Sequence, residues 1–256
     1  MKTAVVANQK GGVGKTAISV HLAHDALDRG KRLVFVDLDP QGNASDSLEP
    51  FESGLKASAL FRDDVDLQAA LSSFLNEEAG IVLIAADDDL ANLEKKDLNE
   101  VGTNFKRSLK IIAEMGFELC LIDTPPTIGN AMASALYAAD YVLSPIEPER
   151  FSIKGIKKMN AAITKIRTVN PTLQFLGMVP SMVDNRNTDH KIHLDQLNAA
   201  YPELMIPTQI HLRRSIAQAV AAGIPVWKIN KTAARQAAKE VRALAKYIFE
   251  KMEIAQ

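Results

Sequence analysis

The sequence predicts an α/β fold, a doubly wound and mostly parallel sheet flanked by helices. Three observations carry that expectation. At least six short apolar runs alternate with stretches of helical periodicity. A glycine-rich turn, Gln9-Lys10-Gly11-Gly12-Val13-Gly14-Lys15-Thr16, joins the first run to the first helical stretch. Two of the runs end in an aspartate, Asp37 and Asp123, where an open parallel sheet presents its ligand-binding edge.

The first run, Thr3-Ala4-Val5-Val6-Ala7, reads as a short buried strand, and a helical pattern follows from Ile18 through Leu22 and Ala26. A glycine-rich turn between strand and helix is a phosphate cradle. Glycine lets backbone N–H groups approach phosphate oxygens with no Cβ in the way. The helix N-terminus adds partial positive charge. Gly11, Gly12, Val13, Gly14, Lys15, Thr16 and Ala17 are therefore the expected nucleotide contacts. Lys15 is expected to reach the β- and γ-phosphates and the Thr16 hydroxyl to hold Mg²⁺. The ordinary motif has glycine where Gln9 stands. Here Gly11 and Gly12 take over the turn, and a second lysine, Lys10, opens the loop. Two lysines are more charge than one γ-phosphate needs from a single subunit. A turn with a chance lysine would not put strand, turn, Gly-Lys-Thr and helix in register.

Lys31–Asp37 is the second strand. Strand, helix and strand over this length make a βαβ unit with parallel strands, so both turns fall on one edge. Pro40 and Gly42 shape the turn after it. Asp39 is the candidate catalytic residue, because a carboxylate there can orient the attacking water and positioning dominates phosphoryl transfer. The competing reading makes Asp37 and Asp39 helix caps or outer partners of Mg²⁺.

Residues 44–80 carry less information; Leu55–Leu60 and Leu67–Leu75 read as short amphipathic helices. Ile81–Ala85 is a third strand. Asp87-Asp88-Asp89 is expected to cap a helix through Leu93, since carboxylates in a first turn suit the dipole. Asn104–Met115 is a helix with Phe105, Leu109, Ile112 and Ala113 on one face. The run from Glu118 to Ile122 then delivers Asp123 to the edge that holds the glycine-rich turn. Asp123 is expected to hold Mg²⁺ with Thr16; the alternative is a helix cap. Tyr141–Pro145 and Leu173–Pro180 are strands, Phe151–Thr168 is a long helix, and Met205-Ile206-Pro207 sits at a last strand position.

His211–Ser215 opens a helix ending near Gly223, and Thr232–Met252 forms an amphipathic helix. Its apolar stripe is Ala234, Ala238, Val241, Leu244 or Ala245, Ile248 and Met252. Arg235, Lys239, Arg242 and Lys246 form much of the other face. That helix can pack on the sheet, lie on a membrane, or offer its basic face to DNA phosphates. The stripe is alanine-rich, which argues against the membrane. Arg213, Arg214, Lys228, Lys231 and Arg235 are the candidate DNA contacts.

The 256-residue chain suits one domain spanning residues 1–256. Its net charge of −1 hides an asymmetry. Residues 207–256 hold nine Lys or Arg against three Asp or Glu, a net of +6, and the preceding residues hold 21 against 28, a net of −7. The single cysteine, Cys120, excludes an internal disulfide and lies in an apolar run, so an inert buried thiol is expected. No apolar stretch approaches the ~18 residues of a membrane span. The chain runs directly into its first strand, so no signal peptide is expected and the cytoplasm is the default location.

The loop Lys10-Gly11-Gly12-Val13-Gly14-Lys15-Thr16 resembles the deviant Walker A motif of the ParA/MinD superfamily of P-loop ATPases. Val36-Asp37-Leu38-Asp39-Pro40-Gln41-Gly42-Asn43 resembles the family's switch I, and Asp123-Thr124-Pro125-Pro126 its switch II. The stretches Ala138–Pro145 and Phe175–Pro180 and the tail from Val226 through Gln256 resemble a ParA-type plasmid partition ATPase, and the likeness runs nearly end to end. The resemblance implies ATP and Mg²⁺ as cofactors. It makes Lys10 the signature lysine, which reaches across an ATP-sandwich homodimer to the partner's phosphates. The family's catalytic aspartate falls on Asp39, and Pro207 falls near the adenine. The implied activity is plasmid partition: slow ATP hydrolysis, stimulated by a ParB-type (KorB-like) centromere-binding protein. Non-specific double-stranded DNA would be bound by the ATP form, which would then sit on the nucleoid. No added helix-turn-helix domain is expected, hence no specific operator binding. Two alternatives share the scaffold: a MinD-like membrane switch, and a metabolic ATP-dependent enzyme. The lone Cys120 argues against a third kind, a reductase with a bridging Fe–S cluster.

Overall fold

The computed structural model describes residues 1–74, 80–150 and 152–254. Its strands are β1 (Lys2–Val6), β2 (Arg32–Asp37), β3 (Glu52–Lys56), β4 (Gly80–Ala85), β5 (Leu119–Asp123), β6 (Tyr141–Ile146) and β7 (Gln174–Pro180). They form one seven-stranded sheet in the order β3-β4-β2-β5-β1-β6-β7, and every pairing is parallel. The helices are α1 (Lys15–Asp28), α2 (Asn43–Ser47), α3 (Leu67–Leu71), α4 (Leu98–Glu114), α5 (Asn130–Ala138), α6 (Ser152–Arg167), α7 (Thr188–Ala200), α8 (Arg214–Ala221) and α9 (Thr232–Lys251).

The strands are apolar on both faces because both faces are covered. Val5, Val34, Val36, Cys120 and Ile122 belong to one core layer, with Phe105 and Ile112 of α4 and Met132 of α5. Their neighbours Ala4, Val6, Leu33, Phe35, Leu119 and Leu121 belong to the other, with α1, α8 and α9. Strand period two thus divides the apolar residues between two layers. Cys120 is fully buried, and burial pushes its thiol pKa far above the ordinary value.

Register places the site. Val6 pairs with Asp123, and Asp37 pairs with Asp123 across the next ladder. The ends of β1, β2 and β5 therefore lie abreast at one edge of the sheet.

The apolar face of α9 packs into the second layer, where Ala234, Val241, Leu244, Ile248, Phe249 and Met252 are buried. Burying each of the larger side chains stabilises by about 1.5–3 kcal/mol. The basic face is less open than its sequence suggests. Arg242 donates to Asp25 at 2.6 Å and Asp28 at 2.5 Å on α1, and its guanidinium lies 3.9 Å from the Trp227 ring centroid.

Several elements depart from expectation. Residues 52–56 form an edge strand followed by a 3-10 helix, Ala57–Phe61, rather than a helix over Leu55–Leu60. Only Leu55 of this strand is buried, so the run is too short for its period to be read. The Asp87 triplet leads into a 3-10 helix, Asp88–Lys95. The helix expected from Asn104 begins at Leu98, where the Asp97 carboxylate accepts from the N–H groups of Asn99 and Glu100. α3 ends at Leu71 and a 3-10 turn runs to Phe74; Leu75, the expected end, lies outside the described residues, as does Phe151. Met205–Pro207 adds no strand and makes one bridge, Met178 to Met205. Gly177 permits that approach: its φ is 123°, and a Cβ there would sit 2.9 Å from the Leu204 carbonyl oxygen. α7 was not anticipated, because only Leu197 along it is buried and it carries almost no apolar stripe.

Candidate nucleotide site and basic surface

The glycine-rich turn leaves β1 and enters α1 through Gly14, whose φ of 86° is left-handed. A Cβ on Gly14 would lie 2.8 Å from Ser181 Oγ, so strain and crowding both demand glycine. Gly12 is also left-handed, at φ 77°. α1 has no side-chain cap and no acidic residue in its first turn. Its first N–H groups therefore remain available to an anion.

Three side chains converge behind this turn. The Thr16 hydroxyl donates to Asp123 Oδ2 at 2.7 Å. Ser19, one turn further along α1, places its hydroxyl 2.9 Å from Asp123 Oδ1 and 2.8 Å from the Lys15 carbonyl. Asp123 is fully buried; burial, with Asp37 as a second cause, pushes its carboxyl up to about 7. Burial lowers the Lys15 ammonium pKa, partly offset by Asp123 and Asp39. A buried carboxylate beside a hydroxyl fits a cation bridging to phosphates. Mg²⁺ keeps several waters and takes one or two protein ligands plus phosphate oxygens, so Thr16 and Asp123 suffice. Among the described residues, no group of three or more His, Cys, Asp or Glu could hold a metal alone.

Asp37 and Asp39 separate in role. Asp37 is buried, with its carboxyl pushed up to about 6 by burial. It accepts from the Ser45 N–H at 2.8 Å, the Ser45 hydroxyl at 2.7 Å and the Asp39 N–H at 3.1 Å. Its lone pairs hold the turn and the start of α2. Asp39 is half-buried, its carboxylate accepts the Gln41 N–H at 3.1 Å, and it lines a cavity of about 690 Å³. That cavity runs from the glycine-rich turn past Ser181 and Met182 to Ile210, His211 and α8. Pro207 does not line it; the residues from Ile210 to Arg213 do.

Lys10 is exposed and precedes Gly11, which lines the cavity. Its Nζ is 2.7 Å from both Glu147 Oε2 and Glu149 Oε2. Partial burial opposes its charge, but the two carboxylates outweigh it and raise the pKa.

Arg214, Lys228, Lys231 and Arg235 are exposed. Lys231 Nζ donates to Gln218 at 3.2 Å, which ties the start of α9 beside α8. Arg213 is different. It donates to Glu240 Oε1 at 2.8 Å, and the His211 N–H donates to Glu240 Oε2 at 3.1 Å. The geometry gives Arg213 a structural partner and sets it apart from the exposed cations. Ser19, Glu147, Glu149 and Glu240 escaped sequence reading, because each acts through a partner distant in the chain.

The sheet order, the turn after β1 and the Thr16–Asp123 pair define a P-loop nucleotide-binding fold of the deviant Walker A kind. A family described as "AAA domain" matches residues 1–175. Protein IncC of Escherichia coli is 54% identical over 259 residues, covering 100% of this chain and 71% of IncC. The chromosome-partitioning ATPase Soj of Thermus thermophilus is 31% identical over 244 residues, covering 93% of this chain and 94% of Soj. Among solved structures, cobyrinic acid a,c-diamide synthase from Mycobacterium smegmatis with bound ATP analog and magnesium matches at TM-score 0.76 and 27% identity, covering 99% and 96% of the two chains. The chain belongs to the ParA-type partition ATPases.

Proposed function

We propose that residues 1–256 act as one ATPase domain that partitions a plasmid. Bound ATP and Mg²⁺ close a homodimer, the dimer holds non-specific double-stranded DNA, and a ParB-type centromere-binding protein stimulates otherwise slow hydrolysis and release. The observation that carries this reading is the Thr16–Asp123 hydrogen bond at 2.7 Å, which ties the first turn of α1, beside Lys15, to the end of β5, the strand next to β1. Lys15 and the N–H groups at the start of α1 would bind the phosphates. Thr16 and Asp123 would hold Mg²⁺, which supplies charge neutralisation at the β- and γ-phosphates. Asp39 would orient water, and Lys10 would act in the second subunit. Arg214, Lys228, Lys231 and Arg235 supply exposed positive charge for DNA. The apolar stripe of α9 is used in the core, which supports a cytoplasmic, nucleoid-associated protein over a membrane switch.

The likeness to the cobyrinic acid synthase favours a second reading, a small-molecule ligase on this scaffold. One experiment separates them: duplex DNA binding with ATP, ADP and no nucleotide, at two salt concentrations. ATP-dependent, salt-sensitive binding is expected. DNA binding in no nucleotide state would leave the ligase reading. Within the first reading, Lys15→Ala is expected to lose ATP binding, and Asp39→Ala to keep binding but hydrolyse poorly.

A further inference from the structure

We propose that Glu147 and Glu149 are positioning residues that park Lys10 on its own subunit and release it when a second copy of the chain docks. The inference deepens the proposed function and rests on the reading that Lys10 serves the partner's nucleotide.

The contact is built from both sides. Glu147 and Glu149 lie between the end of β6 and the start of α6. The Glu149 N–H donates to Ser152 Oγ at 2.9 Å, and the Ser152 hydroxyl donates back to the Glu147 carbonyl. The carboxylates therefore stand on a braced turn. The Lys10 N–H donates to Asn8 Oδ1 at 2.9 Å, and the Asn8 amide donates to the Pro145 carbonyl at 2.6 Å. Lysine and carboxylates are thus anchored to the same end of β6.

In this arrangement the Lys10 ammonium is spent inside its own subunit. Two carboxylates hold the one ammonium. A partner's triphosphate carries more charge than either carboxylate and can compete for the ammonium. A subunit without nucleotide has no such competitor to offer. The parking contact therefore makes docking depend on nucleotide in the opposing copy. Side chains of Lys10, Glu147 and Glu149 are 47%, 21% and 44% exposed, so the pairs are weak enough to exchange.

The test compares wild type with Glu147→Gln/Glu149→Gln and with the milder Glu149→Gln alone. The dimer dissociation constant is measured with ATP by sedimentation. The acylation rate of the Lys10 amine is measured by mass spectrometry in nucleotide-free protein. The double variant is expected to dimerise about three- to tenfold more tightly. Its Lys10 should acylate several-fold faster, with the single variant between. An unchanged acylation rate overturns the parking contact. Unchanged or weaker dimerisation, with wild type dimerising normally, overturns the release. Absence of any ATP-dependent wild-type dimer overturns the proposed function instead, and the acylation rate still decides the contact.

Discussion

Arg242 on α9 donates to the fully buried carboxylate of Asp25 on α1 at 2.6 Å, and Arg29 closes on the same carboxylate at 2.6 Å. A buried charge is tolerable only when paired. Arg242 is thus a structural cation on a helix whose outer face reads as a basic surface. Arg242→Ala should destabilise the chain by about 2–3 kcal/mol. That is below the ~3–5 kcal/mol for breaking a wholly buried pair, because Arg29 still holds Asp25. Chemical denaturation measures it, and a loss under ~0.5 kcal/mol would mean the pair contributes little.

Arg213 and Arg214 are neighbours with opposite expected behaviour. Arg213→Ala strips Glu240, only 9% exposed, of one partner and should lower stability. Arg214 is exposed, so Arg214→Ala should leave stability within ~0.5 kcal/mol. It should weaken DNA binding and reduce the salt slope by about 1. Equal melting temperatures for the two variants, with equal DNA loss, would place both on the DNA face.

Asp123 costs stability in the nucleotide-free protein. Its folded-state carboxyl sits at about 7 against an ordinary 3.8, chiefly because it is buried. A carboxyl raised on folding favours the folded state at low pH, and that contribution is lost as pH rises from about 4 through about 7. Asp123→Asn should therefore raise the melting temperature at pH 8, by about 2–4 °C per kcal/mol relieved, and change it little at pH 4. The same variant should lose Mg²⁺-dependent nucleotide binding. A variant that melts lower than wild type at pH 8 would contradict this.

His24 acts in the opposite direction. It is buried against Phe51, and burial is the main cause that lowers its pKa from 6.5 to about 4. A histidine kept neutral on folding supports stability above its unfolded pKa and loses that support as pH falls from 6.5 towards 4. His21, also buried, shifts the same way. His24→Leu should flatten the pH dependence of unfolding across this window; an unchanged profile would assign the acid sensitivity elsewhere.

Six of the seven strands were legible because each is a largely apolar run that stands out from its polar or glycine- and proline-containing flanks. β1, β2, β4, β5, β6 and β7 all fall where such runs stand. The edge strand β3 was not. β3 buries one leucine and pairs with β4 in an irregular register, Glu52 with Leu83 and Lys56 with Ala85, while the Ser53 hydroxyl donates to the Leu83 carbonyl at 2.7 Å; these are long-range partners invisible in local pattern. α7 escaped for the same reason, having one buried residue. At the candidate site, Lys15, Thr16 and Asp123 were readable because motif spacing encodes their meeting. Ser19 and Glu240 were not, since a serine inside a helix and a glutamate on a basic face carry no local sign of their partners. Charge counting likewise overstated the free cations of the C-terminal fifth, where Arg213 and Arg242 turn inward to carboxylates.

The burial of Cys120 has a practical consequence. The chain's one thiol is sealed inside the sheet and strongly disfavours its reactive thiolate. Reporter cysteines can therefore be introduced at exposed positions outside the proposed site, such as Lys110 or Glu203, without first removing the native one. Maleimide dyes and spin labels would attach only where placed. Distances between the two subunits of a dimer, or between a subunit and DNA, then become measurable on an otherwise unaltered chain.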